Sequence, residues 1–493
     1  MKFTFLRNRF ALVVIPVTGV ALAIIWWFSV QHRPYAILDD YRMVTAVKGM
    51  RPLAIEGHAE TEFVTGRLVP ALLFDLIWTG VRSINDLWYV RTIGLLVVAG
   101  TIVLYQIWFI RHAAVTLTVA KFSIAISSFL VLLLPCVSAT TTWAQKTTQL
   151  FAFPLALLAG ILATSYRITP RRWCGIATLV FLSVFCYQHF VVISMLPLAI
   201  AFGIDKSKNL RPPIGRVFVL LSITIVALLT NVAFVRLVAP DVLQRVSRRT
   251  MRGRIDEALD VLGKGPHIFV EKDMSFLAIS VIFISVLVVL ALLMNPRSVF
   301  LCSSIVLAAL WSVAITIGGD GDSSYRITFP TQLILWLGLG SVVSFSLQQS
   351  RVQFRTYNQT ILVGMLLLVA VILAVESRDV VGRRISAANS DDWINLNCHL
   401  ESLENSTALR EIVVKLSPTP LQGREAVASE IGLLARHIEW IFRDQWALAI
   451  SSNKSLDYLN GVKLEVLDHD QNLPTQDRAR VVIDLQSACP IVN

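Results

Sequence analysis

The chain has 493 residues, of which 55% are hydrophobic and 16% charged, and its formal net charge is +11. Soluble domains carry roughly 25% charged residues, so this composition excludes an ordinary soluble enzyme and indicates a polytopic membrane protein. In a membrane protein the excess of Lys and Arg follows from the positive-inside rule, and nothing in the sequence calls for nucleic-acid binding. The sequence has no zinc-type Cys/His spacing, no P-loop and no Rossmann glycine pattern.

The first apolar run, 10–30, predicts an uncleaved helix rather than a signal peptide. It has about 20 apolar residues, which is too long for the core of a signal peptide, and no small-residue cleavage site follows it. Lys2, Arg7 and Arg9 precede it, so the N-terminus is predicted to be cytoplasmic.

Two adjacent carboxylates, Asp39 and Asp40, follow this helix in the stretch "YAILDDYRM". A carboxylate held at the membrane face could act as a general base on a hydroxyl group, and its neighbour could orient it, bind the substrate or hold a metal. The alternative is a solvated, helix-ending turn in which one aspartate pairs with Arg42. The sequence predicts a first outer loop over 31–91 that contains both aspartates.

Within that loop, the segment 62–81 is apolar but carries Glu62, Arg67 and Asp75. These charges favour a helix lying at the membrane surface over one that crosses the bilayer. The runs that are apolar and long enough to cross, after the first helix, are 92–110, 119–136, 150–166, 174–187, 189–204, 217–238, 275–294, 299–317, 330–348 and 361–376. The hydropathy pattern therefore predicts about eleven crossings.

The short loops predict the orientation of these helices. "SYRITPRRW", "DKSKNLRPPIGR" and "QQSRVQFRTYN" are basic and are predicted to be cytoplasmic, whereas "ATTTWAQKTTQL", "YQHF" and "GGDGDSSYRITF" are poor in basic residues and are predicted to lie outside. The basic loop 239–273 would also lie outside, against the rule, although long loops obey the rule poorly. If 174–204 were one long helix, everything after it would reverse its orientation.

The C-terminal part, 377–493, is predicted to be a small mixed α/β domain outside the membrane, and 1–376 to be the membrane domain. "REIVVKL", "GVKLEVL" and "RARVVIDL" are typical of strands, and "EAVASEIGLLARHIEWIFRDQWALAI" has helical periodicity. Cys398 and Cys489 lie near the two ends of this part, and in an oxidising compartment they could form a disulfide. The alternative is two unrelated thiols.

The arrangement of these segments resembles the GT-C superfamily of glycosyltransferases, which use polyprenyl-phosphate sugars. The order is a first helix, an outer loop opening with "DDYR", a surface helix, many further helices and an outer C-terminal domain. "GHAETEFVTGRLVPALLF", "YQHF" and the ending "SACPIVN" look most like the bacterial GtrII-type glucosyltransferases that modify O-antigen. The resemblance covers most of the chain and rests on architecture and short, degenerate motifs.

The resemblance implies a multi-pass enzyme of the bacterial inner membrane with a cytoplasmic N-terminus and a periplasmic C-terminus. Its donor would be a sugar linked to undecaprenyl phosphate, and the GtrII-type resemblance implies that this sugar is glucose. Its acceptor would be a lipid-linked or lipopolysaccharide O-antigen. Asp40, or Asp39, would be the general base of an inverting transfer. Besides membrane lipids, a flippase and a donor-synthesising transferase would be functional partners. No organic cofactor is implied, no metal ligands are assigned, and a divalent metal stays open.

Further residues of the outer loops are candidates for binding the sugar or the phosphate: Arg42, His58, Glu60, Arg67, Trp143, Lys146, Tyr325 and Arg326. Each has a structural alternative. Arg42 and Arg67 could contact lipid headgroups, Trp143 could belong to an interfacial aromatic belt, and His58 could be an ordinary loop residue. Arg326 could pair with the acids of "GGDGDSSYR".

Two other functions remain open at this point. One is an O-antigen polymerase or ligase, which would transfer glycans without an aspartate base after the first helix. The other is a polysaccharide or lipid transporter, although the scarcity of charges inside the predicted spans argues against ion-coupled transport.

Overall fold

The fold is taken from a computed structural model. It describes residues 62–165, 169–208, 214–239, 274–318, 325–350, 388–401, 409–416, 439–453, 461–467 and 480–484, parts of 361–375, and isolated residues that include Ala36, Asp40, Tyr41, Met43 and Val44. The predicted first helix, 10–30, and almost all of the basic loop 239–273 lie outside the described residues.

Helices dominate the described part of the predicted membrane domain. They are α1 Leu68–Trp78, α2 Leu87–His112, α3 Thr118–Leu133, α4 Pro135–Thr142, α5 Thr147–Leu150, α6 Ala152–Ala163, α7 Pro170–Tyr187, α8 Met195–Ser207, α9 Ile214–Val238, α10 Met274–Met294, α11 Ser298–Gly318 and α12 Tyr325–Gln349. Short 3-10 turns, Ile84–Asp86, Ala144–Lys146 and Gln188–Ser194, join some of them. One continuous apolar core runs through this bundle, with α3 packed along α12 and α8 along α11.

Several helical runs have the length and apolar composition of membrane spans, as a helical membrane protein requires. Within the described residues these are Ile84–His112, Ala144–Ala163, Pro170–Ser207, Ile214–Val238 and Phe329–Gln349. The predicted total of about eleven crossings stays a prediction. Helix α1 has 11 residues, a length of roughly 16 Å, so it is too short to cross a bilayer core of about 30 Å.

Basic residues gather at one end of the bundle, which we call the basic end. Helices α2, α6 and α8 end there and α7 and α9 begin there. The evidence is one cavity that is lined by a residue from each of these five helix ends, namely Arg111, Thr164, Trp173, Asp205 and Arg216. Helix α12 also ends there, since the side chain of Gln348 accepts hydrogen bonds from the backbone at the start of α3. The described helix ends that flank the loops predicted to be cytoplasmic thus share one end of the molecule.

The run Pro170–Ser207 is not one straight helix. Its backbone becomes extended at Tyr187, with φ −163° and ψ 109°, between α7 and the 3-10 turn that leads into α8. Since α7 begins and α8 ends at the basic end, the chain reverses at this point. The prediction of two separate helices, 174–187 and 189–204, is confirmed, and the alternative of one long helix is wrong.

The C-terminal part contains a parallel sheet of strands β1 Glu411–Lys415, β2 Lys463–Leu467 and β3 Arg480–Asp484, in the order β2-β1-β3. All three predicted strands are therefore present. Helices α13 Ala388–Glu401 and α14 Glu439–Ser452 pack against each other and the sheet around a separate hydrophobic cluster. We call these elements the C-terminal unit. The first half of the predicted helix, 425–438, lies outside the described residues.

The C-terminal unit contacts the bundle near the predicted aspartate pair. The amide of Gln445 on α14 lies 3.3 Å from the hydroxyl of Tyr41, and the ring of Trp393 on α13 lies 6.4 Å from the Tyr41 ring. Tyr41 follows Asp40, whose partner Arg91 is near the start of α2, far from His112 at the basic end. The unit and the aspartate therefore lie at the opposite end of the bundle from the basic loops.

Candidate functional site

Asp40 is fully buried, and both of its carboxylate oxygens have partners. Oδ2 lies 3.4 Å from Nη2 of Arg91, and Oδ1 accepts a hydrogen bond of 3.0 Å from the backbone N–H of Gln145. Arg91 is also fully buried, and its Nε donates to the carbonyl of Thr142 at 2.8 Å. The interpretation of this region as a solvated turn is wrong for Asp40, because a bundle helix supplies its partner.

The partner of Oδ1 comes from a break in the helical chain between α4 and α5. The backbone of Trp143 is extended, and a new helical stretch starts at Ala144. The first N–H groups of such a stretch have no partner within it, and they favour a negative charge nearby. Asp40 occupies this position, so its carboxylate is oriented by both a backbone amide and a guanidinium group.

A second buried carboxylate, Glu62, lies against the same stretch. Its Oε1 accepts from the Gln149 amide at 3.1 Å, and its Oε2 lies 3.3 Å from Nη1 of Arg67. Arg67 also lies over the ring of Tyr187, 5.2 Å from its centroid. Gln145 and Gln149 are four residues apart, so roughly one helical turn separates the partner of Asp40 from that of Glu62.

A tight turn brings Arg67 back to Glu62. Gly66 has φ +80°, a left-handed conformation that glycine adopts without steric cost. Its carbonyl accepts a hydrogen bond of 2.8 Å from the Asn231 side chain on α9. The segment before α1 is thereby fixed to the bundle.

Lys146 and Trp143 are buried, which corrects their prediction as residues of a polar outer loop. Lys146 is 5% and Trp143 7% exposed, and the Lys146 ammonium lies 4.5 Å from the centroid of the Trp143 ring. The stretch "ATTTWAQKTTQL" was predicted to be an outer loop because it is poor in basic residues, but threonine hydroxyls in it bond to carbonyls of the bundle, as Thr147 does to Val90 at 3.1 Å. Trp143 therefore presents at least one ring face to a lysine.

Charged side chains of both signs lie around Asp40 among the described residues. Arg67, Arg91 and Lys146 supply three positive charges, and Asp40, Glu62 and Asp392 supply three carboxylates, so these formal charges balance. A carboxylate that is oriented by fixed donors, with guanidinium and ammonium groups nearby, can accept a proton and stabilise a developing negative charge.

The other predicted residues are not placed in the cluster. Asp39, Arg42, His58 and Glu60 lie outside the described residues. Tyr325 and Arg326 form the first turn of α12, but their side chains are not among those described.

Sequence reasoning missed Arg91, Gln145, Gln149 and the role of Glu62 as a buried ion-pair partner. Arg91 offered one signal, since it is a charge directly at the edge of the apolar run 92–110. The glutamines offered none, because only the fold shows which polar residues of "ATTTWAQKTTQL" meet the carboxylates.

The C-terminal unit changes the surroundings of Tyr41. Burial raises the pKa of the Tyr41 phenol well above its usual value, and the negative charge of Asp392 on α13 raises it further. The phenol is thus neutral at physiological pH, and its oxygen accepts a hydrogen bond from the Gln445 amide at 3.3 Å.

The structure supports one half of the predicted disulfide between Cys398 and Cys489. Cys398 on α13 is disulfide-bonded, whereas Cys174, Cys186 and Cys302 are free. Its predicted partner, Cys489, lies outside the described residues, so the pairing stays a prediction.

No family model, no curated protein and no solved structure matches this chain.

Proposed function

We propose that the protein is a membrane glycosyltransferase that moves a sugar from undecaprenyl phosphate to an O-antigen or other surface polysaccharide. The resemblance to the GtrII-type glucosyltransferases makes glucose the proposed sugar. The observation that carries the proposal is the carboxylate of Asp40, which is held by Arg91 and the Gln145 amide at the end opposite the basic loops. A general base needs such fixed positioning.

In this mechanism Asp40 accepts the proton of an acceptor hydroxyl group, with Asp39 as its neighbour. The hydroxyl oxygen attacks the anomeric carbon of the donor sugar, and the bond between that carbon and the lipid phosphate oxygen breaks. The product has inverted configuration, and the leaving group is undecaprenyl phosphate. Arg91, Arg67 and Lys146 supply positive charge for the developing phosphate charge.

The proposed location is the bacterial inner membrane, with the basic end in the cytoplasm and the C-terminal unit in the periplasm. The gathering of Arg111, Arg171, Arg172 and Arg216 at one end supports this orientation, since cytoplasmic loops are enriched in Lys and Arg. A donor held in the membrane by its lipid tail would present its phosphate at the level of an interfacial site such as that around Asp40.

A variant series at Asp40 and Arg91 tests this proposal. Removing one partner of a buried ion pair costs about 3–5 kcal/mol, so Asp40→Asn alone should lower stability as well as turnover. Arg91→Gln and the double variant Asp40→Asn/Arg91→Gln both lack the guanidinium group, so their ratio of turnover reports the carboxylate alone. We expect that ratio to be about 100-fold or more, the typical effect of a general base.

The assay uses purified protein, undecaprenyl-phosphate glucose and a lipid-linked O-antigen acceptor, with melting temperatures measured in parallel. Glu439→Gln, which removes a half-exposed carboxylate of the C-terminal unit, is the control and should keep full turnover. Equal turnover in Arg91→Gln and the double variant would show that Asp40 is structural, and the proposed catalytic centre would be lost.

A transporter is the second candidate, and two acid–arginine pairs favour it, the buried pair Asp40–Arg91 and the part-buried pair Glu62–Arg67. Ionisable groups inside a membrane bundle often belong to ion or substrate pathways. Vesicles containing the purified protein distinguish the two functions. Movement of the lipid-linked sugar across the bilayer without any transfer to acceptor would favour the transporter.

A further inference from the structure

A large cavity lies at the basic end, far from the carboxylate cluster. Its volume is about 1130 Å³, and it is bounded by the ends of α2, α6 and α8 and the beginnings of α7 and α9. None of the residues assigned to sugar transfer lines it. Its place at the ends of the helices corresponds to the level of a membrane–water interface.

The polar part of the cavity is predominantly cationic. Arg111, Arg216 and His112 line it together with one acid, Asp205. The guanidinium group of Arg216 donates to the carbonyl of Thr164 at 3.1 Å, which fixes its position at the wall. With His112 neutral, these side chains carry two positive charges and one negative charge.

Trp108, Trp173 and the imidazole of His112 also line the cavity. Trp108 stacks on His112 with 5.2 Å between ring centroids, and its indole N–H donates to the Thr164 hydroxyl at 3.2 Å. Nε2 of His112 is buried and has no hydrogen-bond partner among the described residues. Trp173, the other tryptophan of the lining, lies near the start of α7. Tryptophans of this kind are enriched where a protein meets lipid headgroups.

An apolar groove lies on the other flank of α9. It has a volume of about 380 Å³ between α8, α9 and α11, and it shares Ile214 with the cavity. Its walls are almost wholly hydrocarbon and include Phe202, Phe218 and Phe300. The start of α9 thus separates a cationic cavity from a groove that suits an acyl chain.

We infer that this end of the protein binds one anionic membrane lipid, with the lipid phosphate in the cavity beside Arg111 and Arg216 and an acyl chain in the groove beyond Ile214. Basic pockets between membrane helices on the cytoplasmic side are suited to anionic headgroups. The adjoining groove favours a lipid over free phosphate, because free phosphate would leave that hydrocarbon surface unused.

Native mass spectrometry of the purified full-length protein tests the inference. The protein is exchanged into mixed micelles that contain phosphatidylglycerol, phosphatidylethanolamine or both, and bound lipid is counted. We expect one retained phosphatidylglycerol. Each Arg near anionic lipid contributes about 1 kcal/mol, so Arg111→Gln/Arg216→Gln should weaken binding by about tenfold or more. The control Arg171→Gln/Arg172→Gln makes the same charge change on α7 at the same end, outside the cavity lining.

A second variant blocks the cavity without removing a charge. A Cβ at Gly215, which lines the cavity, would meet no atom of the described residues within 4 Å, so Gly215→Phe can place its ring there. Gly175 on α7 is equally open and is not a lining residue, so Gly175→Phe is the matched control. We expect Gly215→Phe to lose the bound lipid and Gly175→Phe to keep it.

Three results would overturn the inference. They are equal retention of phosphatidylethanolamine, equal loss of lipid in the cavity variants and their controls, and displacement of phosphatidylglycerol by equimolar inorganic phosphate. The last result would assign the cavity to a soluble anion.

Discussion

At the scale of single residues, Asp40 and Glu62 are two buried carboxylates that each have a polar partner far away in the sequence. Asp40 meets Arg91 across 51 residues, and Glu62 meets Gln149 across 87. Isolated charges inside a bundle would be very costly, so each carboxylate needs its partners for stability whatever its further role. A loss of activity at these positions must therefore be separated from a loss of folding.

Glu62→Gln tests how strongly such a contact holds the structure. The substitution leaves Arg67 without its carboxylate in a part-buried site, so we expect a loss of about 1–3 kcal/mol in the free energy of unfolding. The exposed pair Glu439–Arg443 on α14 has i,i+4 spacing, so Glu439→Gln should cost only about 0.3–0.5 kcal/mol. Unfolding in detergent, followed by circular dichroism, measures both. Equal losses in the free energy of unfolding would show that the Glu62–Arg67 contact stabilises the protein no more than the exposed pair does.

At the scale of elements, close helix packing depends on small residues at a few positions. Gly160 on α6 faces the 3-10 turn before α8, and a Cβ there would lie 2.2 Å from the backbone oxygen of Ser194. This approach fixes the returning chain against α6. It is the same reversal that makes 174–187 and 189–204 two helices.

We therefore expect Gly160→Ala to be strongly destabilising, because the new methyl group would collide with the rigid backbone of Ser194 rather than with a flexible side chain. Gly100 on α2 provides the matched control, since its Cβ would meet no atom of the described residues within 4 Å. Gly100→Ala should stabilise its helix by about 0.5–1 kcal/mol. Melting temperatures of the two purified variants should shift in opposite directions. A neutral effect of Gly160→Ala would mean that α6 and the turn are not in close contact.

At the scale of the whole molecule, the C-terminal unit packs against the segment that carries Asp40 and Tyr41. The aspartates and the tail were predicted to lie on the same side of the membrane, and this contact requires the same arrangement. The disulfide at Cys398 agrees with an oxidising compartment for that side.

Non-reducing mass spectrometry of protein taken from the membrane should find Cys398 joined to Cys489. Cys174, an exposed free thiol on α7, should be alkylated in the same sample and serves as the control for reagent access. Linkage of Cys398 to any other cysteine would contradict the pairing.

The orientation of the C-terminal unit is tested separately. A tag placed after Asn493 should report a periplasmic location, and a cytoplasmic location of the tag would contradict the orientation.

Much of the architecture could be predicted from local patterns. Hydropathy predicted the helices that now form α2, α7, α8, α9 and α12, and alternating apolar residues predicted the three strands, because burial in a bundle or sheet imposes those periodicities on neighbouring residues. The position of Asp39 and Asp40 after the first apolar run made both of them candidate bases, with a helix-ending turn as the alternative.

Only the tertiary structure decided what surrounds that candidate. Arg91, the Gln145 amide and Tyr41 come together because α2, the break at Trp143 and the C-terminal unit meet at one end of the bundle. The same holds for the reversal at Tyr187, for the burial of Lys146 and for the cationic cavity at the other end. These features depend on contacts between residues that are distant in the chain. A local pattern of hydrophobicity or charge does not indicate which distant segments will pack together.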